Sequence, residues 1–208
     1  MAKDSATLQR LLASSKQEFL ANGFENASLR NIAAAAGLTT GAIFGYFKNK
    51  NAIFEALVNP ICDKVERFFT DLADTYYNAD GTVYEINMQK SMDDLRLIYD
   101  IAYENFDEFR LLICCAEGSS KSDFVHTIIE YEIAHSLAYI ERLKKKTQTE
   151  FSIDEISLHI LCDSYINSLL EPVRHNMSYA DAIKSVEFLG VFYTGGWEAV
   201  FNSCVEAR

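Results

Sequence analysis

The sequence predicts an all-α chain of about nine helices, with a short three-helix head followed by a larger helical body. Three observations predict it. Apolar residues recur three and four apart almost throughout, the period of a helix that buries one face. Only 2 prolines and 9 glycines punctuate the 208 residues, too few for the many turns of an all-β domain. Val83 to Met88 is too isolated to build a sheet.

Each element follows from local signals. Leu8, Leu11, Leu12, Phe19 and Leu20 form the first stripe, and Gly23 stands where a helix end favours a left-handed residue. Ser28 reads as the N-cap of a short second helix carrying Leu29, Ile32 and Ala33 to Ala36, which Gly37 ends. Thr39 or Thr40 caps a third helix running to about Tyr46. Asn49 caps a long fourth beginning near Lys50. Pro60 removes a donor from that helix and crowds the turn before it, which predicts a kink near residues 56–60. Residues 78–87, opening Asn78-Ala79-Asp80-Gly81-Thr82, read as a loop. Further helices are expected at about 89–105, 107–116, 121–146, 154–173 and 179–205. Glu117-Gly118-Ser119-Ser120 and Lys146-Thr147-Gln148-Thr149 punctuate them.

Composition narrows the class. With 49% apolar residues the chain can bury a proper core of one or two domains. No stretch approaches the length of a membrane span, and the start of the chain lacks the apolar run of a signal peptide, so a cytoplasmic protein is expected. Cys62, Cys114, Cys115, Cys162 and Cys204 are odd in number and irregular in spacing, and they read as buried free thiols. The net charge of −11 argues at first against nucleic acid, but its distribution reverses that. Residues 1–50 hold 6 basic residues against 3 acidic, while the rest holds 13 against 27. Only the head approaches a phosphate backbone without repulsion.

Residues 28–47 fit two short helices joined by a glycine-containing turn, the arrangement that reads DNA. Ile32, Ala33, Ala36 and Leu38 are small enough to let the helices cross closely. The second helix, Thr40-Gly41-Ala42-Ile43-Phe44-Gly45-Tyr46, would lie in the major groove with its backbone N–H groups toward phosphate. Gly41 permits close backbone approach, and Thr39 and Thr40 offer hydroxyls. Phe44 and Phe47 also read as partly core.

The run from Ile32 through Gly37-Leu38-Thr39-Thr40-Gly41 to Tyr46-Phe47-Lys48-Asn49-Lys50, with Phe19-Leu20-Ala21-Asn22-Gly23-Phe24 before it, resembles the signature of the TetR family of bacterial helix-turn-helix transcriptional regulators. The likeness covers roughly residues 8–58. It implies a homodimer with a DNA-binding domain over residues 1–50 and a ligand-binding and dimerisation domain over residues 51–208. By position, Ser28, Thr39, Thr40 and Gly41 would touch backbone or base edges, Tyr46 a phosphate or base, and Lys48 and Lys50 phosphates. Phe44 stands where the family usually has Tyr, which removes a phosphate hydrogen bond there. Gly45 replaces a common base reader, so specificity would lean on Thr39, Thr40, Tyr46 and DNA shape.

The family pairs its last two helices across a dimer. The residues expected there are Ile160, Leu169, Leu189, Tyr193, Gly196, Trp197 and Val200, although the same pattern also fits a monomeric core. Gly190, Gly195 and Gly196 are costly inside a helix, and close approach across that interface would compensate. A ligand pocket is expected among Tyr99, Tyr103, Phe106, Phe124, Tyr131 and Tyr165, rings that equally suit plain core. His126 with Glu130, and His159 with Asp163, are one turn apart, but a third ligand is not evident from spacing, so no metal and no cofactor are expected. The expected function is a repressor released from a palindromic double-stranded DNA operator by an unknown small-molecule effector. The alternative is a helical small-molecule-binding protein acting through protein partners or as an enzyme, without DNA binding. No phosphate-cradling glycine loop or nucleophile elbow favours catalysis.

Overall fold

The structure, a computed structural model, describes residues 5–77, 88–148 and 153–206. The loop expected at 78–87 and Thr149 lie outside them. The described residues form nine helices and no strand: α1 (Ser5–Asn26), α2 (Leu29–Ala36), α3 (Thr40–Ile43), α4 (Lys50–Tyr77), α5 (Met88–Glu104), α6 (Phe106–Cys114), α7 (Phe124–Thr147), α8 (Glu155–Arg174) and α9 (Tyr179–Glu206). None of them is long and apolar enough to cross a membrane. They fall into two compact units, one of residues 1–64 with 102–125, the other of residues 65–101 with 126–208.

The first unit is built on α1, whose heptad-like stripe buries Leu11, Ser15 and Phe19. Ser15 satisfies its hydroxyl by donating to the Leu11 carbonyl at 2.7 Å. Gly23, at φ 72° and ψ 168°, interrupts α1 in a region open essentially to glycine alone. The interruption turns Phe24 into the core. There Phe19, Phe24 and Phe54 pack with ring centroids 5.2 to 5.8 Å apart. Such ring pairs add about 0.5–1.5 kcal/mol each to the burial itself. Ile32, Ile43, Ile53, Val58 and Leu111 close the core. Helix α4 runs unbroken through Pro60, where the missing N–H leaves the Ala56 carbonyl without its helical donor.

The second unit takes Val65–Tyr77 of α4, most of α5 and α7, and all of α8 and α9. Its core includes Phe68, Phe69, Leu95, Tyr99, Ile128, Ile129, Ile140, Leu158, Cys162, Ile166 and Val186. Asp154 caps α8 by accepting from the Ser157 N–H at 2.9 Å. Ser178 caps α9 by accepting from the Asp181 N–H at 3.2 Å. Asn176, at φ 52°, ends α8: its N–H and that of Met177 return to the carbonyls of Val173 and Pro172. Gly190 is buried, and a Cβ there would collide with the Met92 sulfur of α5. Its reason is therefore packing within the unit, whereas Gly195 and Gly196 meet nothing and lie exposed.

Three expectations need correction. Helix α3 ends at Ile43, and the chain continues to Phe47 in a tighter turn, with Gly45 and Tyr46 bonded three residues back. Helix α7 begins at Phe124 rather than near 121, because Ser119, Ser122 and Phe124 each bond three residues back and hold the preceding segment in turns. Cys62, Cys115 and Cys162 are buried, but Cys114 is exposed. Adjacent helical residues point about 100° apart, so a buried Cys115 directs its neighbour outward.

Candidate nucleic-acid interface

The helix-turn-helix is set by its caps. The Ser28 hydroxyl accepts from the Asn31 N–H at 3.4 Å. Glu18 of α1 holds the same corner: its Oε1 accepts from the Ser28 N–H at 2.9 Å and from Asn31 Nδ2 at 3.2 Å. Gly37 closes α2 in the left-handed region, at φ 68° and ψ 35°. Its N–H and that of Leu38 return to the carbonyls of Ala34 and Ala33 at 3.2 and 2.8 Å. This reverses the chain within one residue and starts α3 at an angle to α2. Thr39 caps α3, its Oγ1 accepting from the Ala42 N–H at 3.2 Å. Asn49 caps α4 in the same way, accepting from the Ala52 N–H at 2.8 Å.

The expected DNA-contacting residues lie along this frame. Thr39, Gly41, Phe44 and Lys48 are exposed, while Ser28, Thr40, Tyr46 and Lys50 are half-buried. A Cβ at Gly41 would meet only the Thr39 hydroxyl, at 3.9 Å, so nothing inside the fold requires glycine there. Phe44 is 53% exposed, which corrects its expected place partly in the core. Ile43 fills the inward position beside it, and Phe44 follows one step around the helix. Lys50 has turned inward. Its ammonium donates to the carbonyls of Glu25 and Ala27 and lies 4.7 Å from the Phe24 ring centroid. An ammonium has three donors, so one remains for an outside acceptor.

Contacts that the sequence did not suggest tie the head to α6 and the segment after it. Lys16 bridges Glu108 at 3.0 Å and Asp107 at 3.4 Å. Burial pulls its ammonium down, but the hydrogen bond and charge of Glu108, with Asp107, outweigh this and hold it above its ordinary range. The Phe24 N–H donates to the Cys115 carbonyl at 2.9 Å. Asn51, Glu55 and Ser120 form a closed triangle: Asn51 Nδ2 and Ser120 Oγ both donate to Glu55 Oε1, and the Ser120 N–H donates to Asn51 Oδ1. The spacing of Asn51 and Glu55, one turn apart on α4, was the available signal.

In the second unit, Tyr99 is buried with its hydroxyl donating to the Leu169 carbonyl. Tyr131 stacks on Phe69 at 5.8 Å, and Tyr165 packs edge-on against Tyr193 at 4.8 Å. Tyr103, Phe106 and Phe124 belong to the first unit, where the Tyr103 and Phe106 rings lie 4.9 Å apart. Of the expected interface residues, Ile160 is 56% exposed and Gly196 is exposed, while Leu169, Leu189, Tyr193, Trp197 and Val200 are half-buried. Among the described side chains of α8 and α9, Ile156, Ile160, Tyr179, Phe188, Val191 and Phe192 are large, apolar and exposed. Phe188, Val191 and Phe192 stand at i, i+3 and i+4, one face of α9. His126 and Glu130 meet at 3.7 Å as an exposed pair, and among the described residues no three metal-ligating side chains converge.

Two short capped helices at a Schellman turn, on a basic head, define a helix-turn-helix DNA-binding protein. Residues 11–57 match the family model of the bacterial regulatory proteins of the tetR family. Solved structures share its fold. PfmR, a TetR family transcriptional regulator from Thermus thermophilus, is 14% identical over 87% of this chain and 96% of that one, with a TM-score of 0.56. A tetR-family transcriptional regulator from Streptomyces coelicolor is 16% identical over 94% of this chain and 81% of that one, with a TM-score of 0.53. NalD, the secondary repressor of the MexAB-OprM multidrug efflux pump in Pseudomonas aeruginosa, is 16% identical over 97% and 98%, with a TM-score of 0.50.

Proposed function

We propose that this DNA-binding regulator works as a dimeric repressor that a small-molecule effector releases from a palindromic operator. The observation that carries the reading is the bonding of the head to α6 and the segment after it, through Lys16, Phe24 and the Asn51–Glu55–Ser120 triangle. Helix α4 leaves that unit at Lys64, and α5 enters it at Ala102, so both continue into the second unit. A shift of α4 or α6 on effector binding would therefore carry the head with it. Two heads must sit about 34–36 Å apart to enter successive major grooves, so a small change in separation lowers affinity.

On this reading the functional boundary falls near residue 50, with effector binding and dimerisation beyond it. Ser28, Thr39, Thr40, Gly41, Phe44, Tyr46, Lys48 and the remaining donor of Lys50 face the operator. Tyr99, Tyr131 and Tyr165 are the expected pocket rings of the second unit, with Tyr103, Phe106 and Phe124 in the first. The exposed apolar side chains Ile156 and Ile160 of α8 and Phe188, Val191 and Phe192 of α9 support pairing of these helices with a second copy, because clustered exposed apolar side chains mark interaction surfaces.

The test is a mobility shift with the DNA upstream of the protein's own gene at moderate salt, comparing the native chain with Tyr46→Ala and Lys48→Ala. A specific shift weakened by both substitutions is expected, and the same assay then screens effectors by release. Equal binding of that DNA and of random duplex by all three chains would overturn the assignment of these contacts.

A further inference from the structure

Base edges in the major groove are most sharply told apart by paired hydrogen bonds, from arginine or lysine to guanine and from asparagine or glutamine to adenine. Between Leu38 and Phe47 the chain carries none of these side chains, nor any acid. Two threonines open that stretch. Thr39 serves as the cap of α3, its Oγ1 accepting from the Ala42 N–H, and Thr40 is half-buried. A threonine hydroxyl both donates and accepts, so it discriminates little between bases. Hydrogen bonding therefore selects weakly along the reading helix.

One large apolar side chain rises from the same face. Phe44 follows α3 with the helical angles φ −65° and ψ −13°, which sets it over Thr40 and Gly41, four and three residues before it. Its side chain is 53% exposed, while that of Ile43 beside it is buried in the core. The neighbours that could screen the ring are glycines, since Gly41 and Gly45 are both exposed. A Cβ at Gly45 would press on the Ala42 carbonyl at 3.1 Å, whereas Gly41 has room for one. Packing within the head thus accounts for Ile43 and for Gly45, but not for the bare backbone at Gly41 or the ring above it. Lys48, exposed four residues on, and the remaining donor of Lys50 are placed to hold phosphates at the edge of the groove.

From this geometry we infer that Phe44 is the specificity-determining side chain of the helix-turn-helix, and that it recognises the C5-methyl group of thymine. The inference rests on the DNA-binding reading above and deepens it. Thymine alone among the four bases carries a methyl group into the major groove, and apolar contact is how a side chain without donors tells it from cytosine. Closing the ring over the methyl takes apolar surface of both out of water. The missing side chain at Gly41 lets the helix backbone come close enough for the ring to reach the base edges. The operator half-site accordingly requires thymine beneath Phe44, and 5-methylcytosine replaces it there better than cytosine does.

The experiment starts with selection of duplexes from a random pool by the full chain. Each thymine of the selected half-site is then replaced in turn by uracil, which lacks only the methyl, and binding is measured for the native chain, Phe44→Ser and Phe44→Leu. One such replacement should weaken native binding about fourfold in each half-site, the worth of one buried methyl or methylene group. It should leave Phe44→Ser unaffected and still weaken Phe44→Leu, which keeps an apolar tip. At the same position the native chain should bind 5-methylcytosine more tightly than cytosine, and Phe44→Ser should bind the two equally. Melting temperatures equal to native are expected of both variants, so that the loss is one of DNA contact and not of folding. Uracil tolerated by the native chain at every position, or a uracil effect undiminished in Phe44→Ser, overturns the inference and leaves the DNA-binding reading standing. Enrichment of no sequence at all overturns both.

Discussion

The ammonium of Lys50 lies 2.9 Å from the carbonyl of Glu25 and 3.2 Å from that of Ala27, fastening the start of α4 to the end of α1. Lysines at 48 and 50 therefore differ in kind. Removing Lys50 leaves two carbonyls short of a donor and should lower the stability of the head by about 1–3 kcal/mol. Lys48→Ala should leave stability unchanged and reduce the salt dependence of DNA binding by about one phosphate contact. Thermal unfolding, paired with binding across a salt series, separates the two. Equal melting temperatures for both variants would refute the structural role of Lys50.

Gly37 and Gly23 are required by backbone rather than by space, since a Cβ at either would meet nothing within 4 Å. Gly37→Ala forces a left-handed alanine and should destabilise by about 1–2 kcal/mol. Gly23→Ala enters a region that alanine avoids more strongly, at about 1–3 kcal/mol. Gly41→Ala, by contrast, should melt as the native chain does and lose DNA affinity only. Denaturant titration of the three chains orders them.

Phe188 and Phe192 are 79% and 71% exposed, whereas Tyr193 accepts a hydrogen bond from Ser168 and packs on Tyr165. Phe188→Glu with Phe192→Glu should yield a folded monomer by sedimentation. Tyr193→Ala should instead lower the melting temperature, with a loss of about 3–5 kcal/mol at most for a large ring. A dimer surviving both glutamates would place the pairing surface elsewhere.

Stability should fall with pH because of Glu132. Its acid is neutral in both states below about pH 4, ionises first in the unfolded chain, and ionises in the folded chain only near 7. Folding therefore loses up to about 3 kcal/mol as pH rises from about 4.5 to 7 and nothing further above that. Glu132→Gln should flatten that limb, as unfolding at pH 5 and pH 8 would report. A parallel pH profile in both chains would deny the carboxyl its buried state.

The caps were the most legible part of the chain. Ser28, Thr39 and Asn49 each accept the backbone N–H three residues on, and Gly37 adopts the left-handed turn its position suggests. These are local, and a few residues determine them. What depended on distant partners was not legible. Lys50 reads as a free cation until the carbonyls of Glu25 and Ala27 are brought to it. On α9, Val186 is buried while Phe188 is exposed, yet apolar residues surround that helix so widely that no period selects an outer face. Glu132 is invisible for the opposite reason, since a lone acid in an amphipathic pattern reads as surface.

The unit that carries the head is assembled from two stretches of chain, residues 1–64 and 102–125, with the intervening stretch belonging elsewhere. On a ribosome the first stretch emerges without the partners of Lys16, Phe24 and Asn51. Those arrive only once Glu108, Cys115 and Ser120 have been made. Closing so long a detour adds a chain-entropy penalty that a contiguous domain avoids. Maturation of the DNA-reading end is thereby tied to synthesis of the rest, and a truncated translation product ending near residue 64 would carry the recognition sequence without its full support.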